Sequence, residues 1–224
     1  MMQPFLVFGL TASLGAMGEL AGHERRGSLI WPGRSAIIGL MGAALGIERD
    51  GDFSALDVLT IDVAIFDAGE PLRDFHTIET VPSAAVKNPN SRPEALRDAC
   101  GRTNMAITHR DYRTSVLYGV SVQGEGLNRI AAALREPRFT LYLGRKSCPL
   151  AAPPGACVVE AASSEEALGH LKAPLWRNPP VQAHTLVCDD PEGEVVSDVP
   201  LDRSRWHFSS RRVALRPVSI VVGG

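Results

Sequence analysis

The chain has 224 residues, 45% of them hydrophobic and 21% charged, with a formal net charge of −2. That balance is ordinary for a globular protein. It excludes disorder along the whole length, and no stretch approaches the roughly 18 apolar residues of a membrane span. Residues 1–80 hold 5 Lys/Arg against 11 Asp/Glu, residues 81–150 hold 11 against 5, and residues 151–224 hold 7 against 9. A chain that coats long nucleic acid unaided would be basic throughout; a local patch for one short anionic ligand fits this distribution better.

Met1-Met2-Gln3-Pro4 has no basic character and Phe5–Leu10 is short for a signal-peptide core, so a cytoplasmic protein with no membrane partner is expected. The cysteines at 100, 148, 157 and 188 include no C-x-x-C pair, which predicts reduced thiols rather than a zinc or disulfide framework. Neither cofactor nor metal is expected.

In chain order, Gln3–Leu10 predicts a strand. A glycine-rich loop follows, with Gly9, Gly15, Gly18, Gly22 and Gly27, suited either to close backbone approach by a ligand or to a plain connector. Pro32-Gly33-Arg34-Ser35 opens a helix whose apolar face is Ala36, Ile37, Leu40, Met41, Ala44 and Leu45, with Gly46 as a left-handed stop. Gly39 and Gly42 weaken that helix and imply close packing against a sheet. Strands are expected at Val58–Phe66 and Leu72–Thr80. Residues 81–104 carry Pro82, Pro89, Pro93 and the cations Lys87, Arg92, Arg97 and Arg102, with few large apolar groups; such an insertion is usually functional or disordered. A strand over Tyr112–Val122, a helix over Leu127–Arg135 and a strand over Phe139–Leu143 complete a β-α-β-β-β-α-β order. That order is close to the ferredoxin-like plan, though without the aromatic RNP pattern of RNA-recognition motifs. Beyond residue 151 a small helix near Ser164–Leu171 and strands at Thr185–Asp189 and Val213–Val222 form an extension. The fold class expected is α+β: a ferredoxin-like domain over 1–150, an insertion at about 79–111, and a β-rich extension over 151–224 packed on the same body.

Several residues carry chemistry. Gly144-Arg145-Lys146-Ser147-Cys148-Pro149 suits a phosphate clamp or a charged surface turn, and is not a Walker A loop. Arg34-Ser35 at a helix N-terminus could meet an anion, or simply cap the helix. Asp74 and His76 share a strand face, so Asp74 could orient His76 for general-base work or make a structural bond. His109 beside Arg110, with Lys146 or a tyrosine to stabilise a phosphorane, is a motive for a metal-independent ribonuclease; a basic loop tip is the plainer reading. His23, among Glu24, Arg25 and Arg26, fits a surface or anion contact. No His pair has metal spacing, and no G-x-S-x-G element is present.

Three blocks together resemble the CasD family of type I-E Cascade, the CRISPR surveillance complex, within the repeat-associated mysterious protein superfamily. The first is Arg26 followed by Pro32-Gly33-Arg34-Ser35-Ala36-Ile37-Ile38-Gly39-Leu40-Met41-Gly42-Ala43-Ala44-Leu45-Gly46-Ile47-Glu48-Arg49. The second is Leu72-Arg73-Asp74-Phe75-His76-Thr77. The third is Arg138-Phe139-Thr140-Leu141-Tyr142-Leu143-Gly144-Arg145-Lys146-Ser147-Cys148-Pro149. The resemblance implies a ferredoxin-like body with a protruding thumb, the insertion at about 79–111. It implies a non-catalytic subunit that binds the 5′ handle of the CRISPR RNA and caps the CasC backbone filament. It would also touch the large subunit CasA, work beside the other Cascade subunits and meet target DNA only through the complex. Arg26, Arg34, Ser35, His76, Arg110, Tyr142, Arg145 and Lys146 become the expected RNA-side residues. His109 stands where the family commonly has an aromatic. The alternative is an endoribonuclease that processes repeat RNA, because related type I-C subunits cut the RNA themselves.

Overall fold

A computed structural model describes residues 1–19, 24–88, 91–203 and 207–224. The expectations for Gly22, His23, Pro89 and the Arg92 side chain fall outside the described positions. The architecture is mixed α/β and dominated by one sheet. Its path runs β6 (Cys157–Ala161), β1 (Gln3–Gly15), β5 (Asn104–Gln123), β3 (Thr60–Asp67), β7 (Val181–Asp202) and β8 (His207–Val222), each neighbour antiparallel. Two further strands, β2 (Arg25–Arg26) and β4 (Glu70–Thr80), pair with β5 alone.

β1 shows why the sheet is central. Its alternate residues pack into different cores: Leu6, Phe8 and Leu10 join the larger one, while Phe5 and Val7 join the smaller. A strand buried on both faces reads as a continuous apolar run, which Phe5–Phe8 is. The larger core lies under α1 (Arg34–Leu45) and α4 (Leu127–Arg135), the smaller under α5 (Ser164–Leu168). α4 occupies the expected residues and buries Leu127, Ile130, Ala131 and Leu134 as its spacing predicts. α1 buries Ile37, Ile38, Leu40, Met41 and Ala44. Each buried Leu, Ile or Met side chain among these contributes about 1.5–3 kcal/mol.

Gly46 ends α1 in the left-handed region, with φ 78° and its N–H bonded to the carbonyls of Ala43 and Gly42. Gly42 meets the Phe53 ring rather than the sheet: a Cβ there would lie 2.4 Å from Cε1. Gly39 faces open space, so the packing expected of it is not found. Phe53 leads into the short helix α2 (Ser54–Asp57).

Two expectations need correcting. Phe139–Leu143 is not a strand; only an isolated bridge, Tyr142 to Pro149, forms there. Its backbone groups are used elsewhere: the N–H groups of Arg138 and Phe139 donate to the last carbonyls of α1, and the Leu143 carbonyl accepts from Ala16. β6 takes the sheet edge beside β1 instead. Because β6 belongs to the tail, the sheet runs across the 150/151 division. The insertion also holds a helix that its composition did not predict. This is α3 (Arg92–Ala99), capped by the Ser91 side chain accepting from the Glu94 N–H.

β4 and the N-terminal half of β5 form a two-stranded ribbon, in register from Glu70–Thr114 to Thr80–Asn104. The insertion expected at about 79–111 takes in the far end of this ribbon. α3 at the far end of this ribbon buries only Ala95 and Ala99, which offsets little of the roughly 1–2 kcal/mol per residue that ordering costs. We expect the α3 amides to exchange orders of magnitude faster than those of Val116–Val122 in the isolated chain. Equal protection in a hydrogen-exchange experiment would contradict this.

Candidate nucleic-acid interface

Directly opposed residues of an antiparallel pair share a face, and faces alternate along each strand. On the ribbon one face therefore carries Leu72, Asp74 and His76 from β4 with Thr108, Arg110 and Tyr112 from β5. β2 adds Arg26 directly beside Arg110. Three expected residues, Arg26, His76 and Arg110, are thus brought onto one surface from segments up to 84 residues apart. His76 Nδ1 lies 3.1 Å from Asp74 Oδ2, a contact that their shared strand face allows. Arg26 and His76 are exposed and Arg110 is half-buried.

The turn over residues 142–149 docks beside this face. Gly144 sits at φ 84°, and a Cβ there would lie 1.6 Å from the Ala16 carbonyl oxygen, so no other residue fits. Buried Cys148 fastens the turn: its carbonyl accepts from the Leu143 N–H, and its own N–H donates to the Arg145 carbonyl. Burial pushes its thiol pKa up, so it is an anchor rather than a nucleophile. The fastening sets the Arg145 guanidinium over the Tyr112 ring, 4.5 Å from its centroid. Tyr112 lies on the Arg26–Arg110 face, so Arg145 adds a stacked cation to it. Arg145 Nη1 is shielded from solvent and meets no hydrogen-bond partner among the described residues. Lys146 is exposed on the same turn, and Tyr142 is half-buried where the bridge to Pro149 closes it.

Arg34 and Ser35 lie elsewhere. Arg34 is buried and donates from Nη2 to the carbonyls of Asp57 and Leu59, each at 2.7 Å. Those carbonyls precede β3, whereas the ribbon starts beyond its other end, roughly 26 Å along the strand. Burial first, and then the positive charge of Arg211, lowers its pKa. Its guanidinium is bonded to backbone, apart from the face that carries Arg26 and Arg110. Ser35 is half-buried in the first turn of α1, where Gly33 holds the cap position without a side-chain bond. The Arg34 N–H donates instead to Asp198 Oδ2 at 2.6 Å. Asp198 in turn receives Arg211 Nε at 2.7 Å and Nη2 at 2.9 Å, and Arg211 also reaches Asp189. Burial opposes the Arg211 charge, but the two carboxylates outweigh it and raise its pKa.

The second ribbon face escaped the sequence reading. It holds Arg73 and Phe75 from β4, His109 and Asp111 from β5, and Arg25 from β2. Asp111 receives Nε of Arg25 at 2.7 Å and Nε of Arg73 at 2.7 Å. The bond from Arg73, followed by that from Arg25 against a small cost of burial, holds its carboxyl below the usual range. A cleft of about 280 Å³ is lined by Arg25, Ser28, Pro71, Arg73, Asp111 and Arg113, together with Leu72 and Tyr112 of the first face. Strand alternation from Arg110 to Asp111 was the available signal, but it needed the register. Among the described residues no three His, Cys, Asp or Glu side chains come together as a metal site.

The profile described as "CRISPR-associated protein (Cas_Cas5)" matches residues 5–214. The chain belongs to the Cas5 family. It is 29% identical over 186 residues to the CRISPR system Cascade subunit CasD of Escherichia coli strain K12, covering 75% of this chain and 76% of that protein. A solved chain of a CRISPR RNA-guided surveillance complex superposes on 99% of this chain and 94% of its own length, with a TM-score of 0.74 and 26% identity. A second solved Cas protein covers 98% of each chain at a TM-score of 0.63 and 24% identity, and so shares the fold. The resemblance carried by the three sequence blocks is thus confirmed at the level of family. Among the described residues no helix of this Cas5-family chain is long and apolar enough to cross a membrane.

Proposed function

We propose that the chain is a non-catalytic subunit of a CRISPR surveillance complex that holds the 5′ handle of the CRISPR RNA. The observation that carries this reading is the shared face of Arg26, His76 and Arg110, extended by Arg145 and Lys146. Phosphates are positioned by arginines, and unpaired bases stack on guanidinium and aromatic planes. A small cationic face on an otherwise acidic chain suits a short RNA segment. In this reading the ribbon is the thumb, and β6, β1, β5 and β3 with α1 and α4 are a ferredoxin-like body. One end of the body caps the CasC backbone filament and another surface meets CasA. Affinity purification with the neighbouring subunits, followed by sequencing of the bound RNA, tests it. A complex that assembles with RNA lacking any common 5′ sequence would refute it.

The ribonuclease reading receives no support from the geometry. His109 and Arg110 are consecutive, so the strand sends them to opposite faces. The His109 and Phe75 rings form a T-shaped pair with centroids 4.9 Å apart, away from the side where Arg145 covers Tyr112. We expect purified protein to leave a repeat RNA intact in metal-free buffer. A discrete cut that disappears in His109→Ala or His76→Ala would overturn this.

A further inference from the structure

We propose that Asp111 is a positioning residue that holds Arg25 and Arg73 as a ready-made seat for one RNA phosphate, with the exposed Phe75 ring as the surface for the adjoining base. The proposal rests on the RNA-binding reading and adds a second contact face to it.

Both arginines are substantially exposed, at 59% and 47% of their side-chain surface, whereas Asp111 is only 15% exposed between them. Exposed arginines are normally free to sample many rotamers, and a ligand must then order them. Here one carboxylate orders both in advance. Arg25 brings Nε and Nη2 to the one oxygen Oδ2, at 2.7 and 2.6 Å, whereas Arg73 spans both oxygens, with Nε 2.7 Å from Oδ1 and Nη2 3.3 Å from Oδ2. Nη1 of each guanidinium is left out of the bonds to Asp111. Two positive charges against one negative leave the cluster net cationic, as an anion seat requires. Such planar donors match a phosphate's oxygens better than an ammonium would.

The surroundings fit a nucleotide rather than a free ion. Phe75 lies two residues from Arg73 on the same strand face, about 6.6 Å along β4. His109 packs against it at an interplanar angle of 87°, which restrains the ring while leaving it 66% exposed. A restrained, exposed aromatic is a sequence-tolerant platform for a base. The cleft beside the arginines, of about 280 Å³, gives the sugar and phosphate a recess to enter.

The test is fluorescence anisotropy of the full chain with a labelled 12-nucleotide single-stranded RNA copied from the CRISPR repeat, titrated over a series of salt concentrations. Asp111→Asn removes a negative charge beside the RNA, so a merely electrostatic neighbour predicts tighter binding. A positioning role predicts the opposite: binding about three- to tenfold weaker, with the log–log salt slope flatter by about 0.7 for one lost phosphate contact. Asp111→Glu should recover part of the affinity. The surface double variant Arg25→Ala/Arg73→Ala should reproduce the weaker binding and the flatter slope, and it keeps the test open should Asp111→Asn fold poorly. Phe75→Ala should weaken binding with no change in slope. Tighter or unchanged binding by Asp111→Asn, or binding within twofold by the double variant, overturns the seat. If Arg110→Ala weakens binding in the same assay, the RNA reading survives that loss. Wild-type protein that fails to bind the probe at low salt removes the RNA reading and the seat together.

Discussion

Alanine at Arg110, Arg145 or Lys146 should each weaken retention of the CRISPR RNA handle by roughly ten- to a hundredfold. A well-formed charge-assisted contact contributes about 1.5–3 kcal/mol, and about 1.4 kcal/mol is tenfold in affinity. The three are not equivalent. Arg145 is held over Tyr112 by a turn that Gly144 and Cys148 fix in place, so its cation is presented at little cost in freedom. Arg145→Lys keeps the charge but loses the planar stack and should recover only part of the affinity. Lys146 is exposed on the same turn and should act mainly through charge, with Lys146→Arg close to wild type. Each lost phosphate contact flattens the log–log salt slope by about 0.7. Cys100→Ser, at an exposed thiol, should alter neither quantity. Unchanged affinity and slope in all three alanine variants would make these residues a solvated face and leave the family assignment standing.

Asp198→Ala should be among the most damaging single changes to stability. Asp198 is 5% exposed and ties the start of α1 to β7 and β8 through the Arg34 N–H and the Arg211 guanidinium. Removing it leaves a largely buried cation short of its main partner, which costs about 3–5 kcal/mol. In a chain of this size that lowers the melting temperature by roughly 6–20 °C. Replacing the pair together, Asp198→Leu with Arg211→Met, should be milder than Asp198→Ala because neither charge is then stranded. Thermal and urea unfolding of the three proteins measures this, and a loss below about 1 kcal/mol for Asp198→Ala would contradict it.

The elements legible in the sequence are those governed by local pattern. α4 follows the spacing of Leu127, Ile130, Ala131 and Leu134, and α1 stops where Gly46 offers a left-handed cap. The strand expected at Phe139–Leu143 has the right apolar alternation, but tertiary partners claim its backbone donors, and no local signal reveals that. The site divides the same way. Asp74 and His76 are neighbours on one strand, so their contact could be read directly. The meeting of Arg26 with Arg110 depends on a parallel pairing across 84 residues of sequence. Arg34 looked like an anion ligand because helix N-termini attract anions; in the fold a buried carboxylate of the chain itself, Asp198, supplies the negative charge. Asp111 was invisible because a residue's face has no meaning until the register is known.

β5 spends its first half in the ribbon and its second half between β1 and β3, and the two halves meet at Ser115, a non-glycine residue held in the left-handed region at φ 56°. The other leg of the ribbon is anchored as well: Arg113 donates to the carbonyls of Ala68 and Gly69, and Gly69, at φ 65°, presses against the Thr114 carbonyl where a Cβ would not fit. The ribbon is in effect a cantilever whose beam continues into the wall that supports it. Force applied to its tip travels along a covalent chain, through the left-handed Ser115, into the strand segment that carries Val116, Tyr118, Val120 and Val122 in the larger core. The direction in which the ribbon leaves the body is therefore set at two residues, Ser115 in one leg and Gly69 in the other, both in the left-handed region.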